Sequence, residues 1–135
     1  MNETNDPRYW VEIAEEGLKT AQVTLRRKEP LLRSVGFSSQ QCAEKYLKAI
    51  LVSKKLKFPK THDLRDLANL CEQAGIIVPV NGDVLDQLTI FAVQVRYPGF
   101  AFDVSDAQSA LATAKLVRQF ARKILGRVCK IQNSV

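Results

Sequence analysis

The chain has 135 residues, 46% hydrophobic, 25% charged and 7% aromatic, the composition of one globular domain rather than of a disordered tail or a membrane protein. Its net charge of +6 gathers in "LRRK" (Arg26, Arg27, Lys28), in "SKKLKFPK" (Lys54, Lys55, Lys57, Lys60) and along the last stretch (Lys115, Arg118, Arg122, Lys123, Arg127, Lys130), which suits a polyanionic partner as readily as solvated lysine-rich helix faces. Three scattered cysteines, Cys42, Cys71 and Cys129, and a single histidine exclude the common metal centres and predict reduced thiols in a cytoplasmic protein, while the polar N-terminus predicts neither a signal peptide nor a membrane span.

Asp6 before Pro7 reads as an N-cap with a first-turn proline, and Val11, Ala14, Leu18, Ala21 and Leu25 recur at steps of three and four, predicting a helix over 7–27. Pro30 opens a second helical stretch whose first turns Ser34 and Gly36 weaken. From Ser38 onward Cys42, Ala43, Tyr46, Leu47 and Ile50 form its apolar stripe, with Glu44, Lys45 and Lys48 on a solvent-facing side, to an end near Lys55. The connector "KFPKTH" precedes a short helix capped by Asp63, carrying Leu64, Leu67, Ala68 and Cys71, and stopped by Gly75.

"IIVPVNGD" is a bend whose apolar start is expected to tuck under the bundle. The segment "VLDQLTIFAVQV" after Asp83 is apolar on nearly every side, the pattern of a helix that packs on its own core and on a second copy; Phe91 and Val95 are the residues expected on the exposed side. Pro98 and Gly99 end it. Ser105 with Gln108 reads as a capping box for a final helix, whose seam is Ala107, Ala110, Ala114, Val117, Ala121, Ile124 and Val128. The expectation is an all-α chain, one domain over 1–135 with its core at about 7–128, folded as an antiparallel up-down bundle of four main helices plus one short helix.

The six glycines are too far apart for a phosphate-cradling loop or a dinucleotide fingerprint, so no cofactor and no metal are expected. Three short blocks remain: "SSQQCAEKYLKAIL", "KFPKTHDLRDL" and "VRYPG". Gln41, Ala43, Glu44, Lys45, Leu47, Lys48 and Ala49 in the first, Phe58 through Leu64 in the second and Arg96, Tyr97 and Pro98 in the third resemble, in order and spacing, the HEPN family, the higher-eukaryote and prokaryote nucleotide-binding domains, in its branch of small bacterial and archaeal proteins. The resemblance implies a helical bundle that dimerises, acts on or binds nucleotide or RNA, and is often paired with a nucleotidyltransferase partner in a toxin–antitoxin-like system. Many members are metal-independent ribonucleases in which four to six residues separate an arginine from the histidine that follows it. Here Lys55, Leu56 and Lys57 stand where that arginine would precede His62, and no histidine follows Arg96.

The resemblance and the charge together nominate Lys60, His62, Arg96 and Tyr97 for nucleotide or RNA binding, if the "KTHDL" and "RYP" corners meet. His62 and Arg96 also have plainer roles. His62 can organise the turn after Pro59, and Arg96 can bond the last carbonyls of its helix. The alternatives are a divergent ribonuclease in which His62 and Arg96 meet across the fold, and a module that binds protein only.

Overall fold

The computed structural model describes residues 5–94 and 101–126. Among them are five helices and no strand: α1 (Pro7–Leu25), α2 (Leu32–Ser53), α3 (Leu64–Gln73), α4 (Gly82–Gln94) and α5 (Val104–Leu125). The Asp6 carboxylate accepts the Arg8 amide and the Asp63 carboxylate that of Asp66, so both aspartates cap as the sequence suggested. The capping box of α5 lies two residues earlier than expected: Asp103 Oδ1 accepts from the Asp106 amide at 2.8 Å, and Asp106 Oδ2 accepts from the Asp103 amide at 3.1 Å. Two carboxylates do what Ser105 and Gln108 were expected to do, because an ionised side chain accepts more strongly near the positive helix end.

Helix α2 is the axis. It packs most extensively on α1 and α5 and also touches α3 and α4, so its middle is buried on nearly every side, with Gln41 and Lys45 half-exposed. Val35, Cys42, Ala43, Tyr46, Leu47, Ala49, Ile50 and Leu51 are all fully buried. So are Glu44 and Lys48, at 2% and 6% exposure, which corrects their placement on a solvent face. Their i, i+4 spacing mimics a surface pair, but on a helix wrapped all round the same spacing must serve the interior.

Small residues set the helix separations. A Cβ on Gly17 would lie 3.0 Å from the Ser38 carbonyl oxygen and 3.3 Å from the Cys42 nitrogen, so α1 approaches α2 backbone to side-chain-free backbone. Gly36, inside the first turns of α2, lies under the Phe102 ring, whose Cζ would be 2.7 Å from an added Cβ. Ala107, Ala110, Ala114, Val117 and Ala121 of α5 are buried as the seam predicted. Phe91 is only 5% exposed and meets Phe102 edge-on at 5.0 Å, so its expected place on an outer face is corrected to the core; Val95 lies outside the described residues. After α3, Ile76 packs on the core while Ile77 is 69% exposed, so the bend tucks in only in part.

Candidate functional site

The connector between α2 and α3 is held at several points. Phe58 meets Trp10 of α1 edge-on at 6.0 Å. The Asp63 amide donates to Thr61 Oγ1 at 3.1 Å, and the Leu64 amide donates to Thr89 Oγ1 of α4 at 3.2 Å. Gln40 Nε2 donates to the His62 carbonyl at 2.9 Å. The block "FPKTHDL" is therefore a strap laid back along α2, with its aromatic end on α1 and its aspartate end opening α3.

Under the strap sits one buried carboxylate. Glu44 Oε1 faces Gln40 Nε2 at 3.0 Å and His62 Nδ1 at 2.9 Å, while Oε2 accepts from Lys45 Nζ at 3.0 Å and Lys48 Nζ at 2.9 Å. Burial pushes this carboxyl up, but the donors of Gln40, Lys48, Lys45 and His62 outweigh it and hold the group at about 2. The Lys48 ammonium also lies 5.7 Å from the Trp10 ring centre and 5.5 Å from that of Phe58, with Lys45 5.5 Å from Trp10. Charge, ring faces and hydrogen bonds thus share two lysines that would otherwise be costly to bury. One carboxylate among two lysines leaves the spot with a surplus of positive charge.

Above the hub, the His62 side chain is 81% exposed although its Nδ1 is held. Lys54, Lys55, Lys57 and Lys60 are exposed on the same connector. Lys55 has φ of 59°, in the left-handed region, where the Lys55 amide donates to the Val52 carbonyl and the Leu56 amide to the Leu51 carbonyl, both at 2.9 Å. Helix α3 closes with the same pair of bonds, from Gly75 to Glu72 and from Ile76 to Cys71, but places Gly75 at φ of 85°. At the end of α2 a lysine stands where glycine is the unstrained choice, at a cost of about 1–2 kcal/mol.

Of the four nominated residues, Lys60 and His62 share the connector, and Arg96 and Tyr97 lie outside the described residues. Sequence reasoning missed Glu44 and Gln40; the signal available was their fall inside the block that precedes the histidine, at i and i+4 of one helix. A second network was missed too. Glu15 of α1 accepts from Arg118 Nε at 2.7 Å and Nη2 at 3.1 Å, and from the Tyr46 hydroxyl, which also accepts from Arg122 Nη1 at 3.3 Å. Burial raises the Glu15 carboxyl, but the hydrogen bonds from Arg118 and Tyr46 and the charges of Arg118 and Arg122 together outweigh it, so it stays ionised and locks α1, α2 and α5 together. Cys42 and Cys71 are fully buried, and burial pushes their thiols up to about 12 and about 11, the state of inert packing residues.

Among the described residues no cluster of His, Cys, Asp and Glu could hold a metal ion, and no helix is long and apolar enough to cross a membrane. Searches of the curated proteins and of the solved structures find no match. The family profile described as the HEPN domain matches residues 7–124, from the first turn of α1 to the last turn of α5. The matched span takes in every helix, the buried Glu44 and the strap that carries His62, and the chain belongs to the HEPN domain family.

Proposed function

We propose that this HEPN chain is a nucleotide- or RNA-binding module whose contact surface is the 54–62 connector, extended by Arg96 and Tyr97. The observation that carries this reading is a connector whose backbone and histidine are pinned from below while its four lysines and the imidazole face water. A pinned cationic strap is preorganised for a phosphate backbone, since little ordering remains to be done on binding. Lys57, Lys60 and Arg96 take phosphates in this account, and Tyr97 stacks on a base. The lysine kept in the left-handed position supports it, because stability alone favours glycine there.

Two anchors support a meeting of the corners. Phe102, just after the third block, rests on Gly36, and Gln40, one turn further along α2, holds the His62 carbonyl. The reversed order of contacts between Trp10, Glu15 and Gly17 on α1 and Lys48, Tyr46 and Cys42 on α2 supports the up-down reading of the bundle. On α4, Val84 and Ile90 are 40% and 41% exposed, which supports a homodimer through that helix. A nucleotidyltransferase partner in a toxin–antitoxin-like pair fits the family's habit. The test is binding of a short single-stranded RNA at rising salt: the affinity falls steeply with salt and Arg96→Ala weakens it, whereas equal binding by wild type and variant removes the assigned groove.

A second reading is favoured by the carboxylate-held imidazole, the arrangement of a general base. In it His62 and Arg96 form a metal-independent ribonuclease. RNA incubated in excess chelator is then cut by the wild type and spared by His62→Ala; identical cleavage by both removes this reading. Absence of RNA binding, with a dimer that breaks on Ile90→Glu, would leave a protein-interaction module.

A further inference from the structure

Glu44 is ionised at neutral pH and a carboxylate can only accept, so the nitrogen 2.9 Å from its Oε1 must carry a hydrogen. That nitrogen is His62 Nδ1. A neutral imidazole has one hydrogen for two nitrogens, and a free histidine prefers to keep it on Nε2. Here the preference is reversed, and in the cationic ring both nitrogens carry one. In the neutral ring Nε2 is therefore bare, on a side chain that is 81% accessible. Gln40 reinforces the geometry by bonding both the Glu44 carboxylate and the His62 carbonyl, which ties the ring and its backbone to one turn of α2.

We propose that Glu44 is a positioning residue: it holds His62 in the Nδ1–H tautomer and turns a bare Nε2 outward to accept a hydrogen bond from a ribose hydroxyl. The ligand class rests on the nucleotide-binding reading above. Phosphate oxygens at neutral pH offer acceptors only and are mismatched to a bare Nε2, whereas the flanking lysines Lys57 and Lys60 suit them. The hydroxyls of ribose are donors, and the 2′-hydroxyl is the one that deoxyribose lacks. The strap then divides the work, with lysines on phosphate and the histidine on sugar.

His62 is the only histidine, so a nitrogen-15 spectrum of the imidazole requires no assignment. At a pH where the ring is neutral, the wild type gives a pyrrole-type Nδ1 and a pyridine-type Nε2, and Glu44→Gln shifts the balance toward hydrogen on Nε2. Hydrogen on Nε2 in the wild type would overturn the proposal, and that measurement holds even if Glu44→Gln does not fold. The second arm compares an RNA oligonucleotide with its DNA counterpart. One hydrogen bond predicts about threefold to tenfold tighter binding of the RNA, reduced to near equality in His62→Ala; equal binding of both by the wild type would overturn the ribose contact. The Nδ1–H tautomer in a protein that binds neither strand would instead overturn the nucleotide-binding reading and leave the Glu44–His62 pairing standing.

Discussion

Replacing Glu44 with glutamine tests how much the buried hub contributes. The carboxyl is held at about 2 against an ordinary value of 4.5, and each unit of difference corresponds to about 1.4 kcal/mol, so the ionised form stabilises the fold by about 3 kcal/mol at neutral pH. The sign follows from the folded value being the lower one: the contribution is complete above about pH 5 and is lost as the pH falls through 4.5 towards 2. Glutamine keeps the shape but leaves Lys45 and Lys48 without their counter-charge and turns an amide donor toward two of the four donors. Urea unfolding at pH 7 should show a midpoint about 1–3 M lower in the variant, from a slope of about 1–3 kcal/mol per molar. Repeated down to pH 2, the two curves should converge, because a protonated Glu44 closely resembles glutamine. Glu15 and Asp6 are also held low, but they are present in both proteins and cancel in the difference. A gap under about 1 kcal/mol at pH 7, or one that stays constant down to pH 2, would show that the ionised Glu44 does not carry this stability.

Gly17→Ala gains helix propensity of about 1 kcal/mol, yet its Cβ would press on α2 backbone atoms at 3.0 and 3.3 Å; a net loss of about 1–2 kcal/mol in thermal or urea melts is expected, and a stabilised variant would contradict the close approach. Lys55→Gly relieves the left-handed strain and should stabilise by about 1 kcal/mol, while weakening RNA binding. Removing both Lys57 and Lys60 as alanines should make the slope of log affinity against log salt shallower by about 1.4, from about 0.7 per single-strand phosphate contact. Ile90→Glu should halve the mass measured by light scattering without unfolding the protomer, whereas Phe91→Glu should unfold it, since Phe91 is in the core.

Helix spans were legible because their signals are local. Asp6 with Pro7, Asp63 and Gly75 each act within one turn of their own position, and the alanine seam of α5 needs only a neighbouring helix of any kind. What the sequence hid depends on which helix lies in the middle. Glu44, Lys45 and Lys48 read as a surface charge pattern, and they would be one on any helix but the axial one; that α2 is axial follows only from how the others pack around it. The network of Glu15, Tyr46, Arg118 and Arg122 is hidden for the same reason, since its members come from three helices and 103 residues separate Glu15 from Arg118. In the candidate site the histidine and lysines of the connector were legible from the "KFPKTHDL" block, but the carboxylate that holds the histidine was not, and Arg96 with Tyr97 lies outside the described residues.

On the proposed reading the connector from Lys54 to His62 receives the nucleic-acid backbone. Amide chemical shifts of the labelled protein, followed while a short single-stranded RNA is added, decide this. Changes concentrated at 54–62, 96 and 97, and fading as salt is raised, are the predicted result. Changes centred on Arg26, Arg27 and Lys28, or on the outer face of α4, would contradict it.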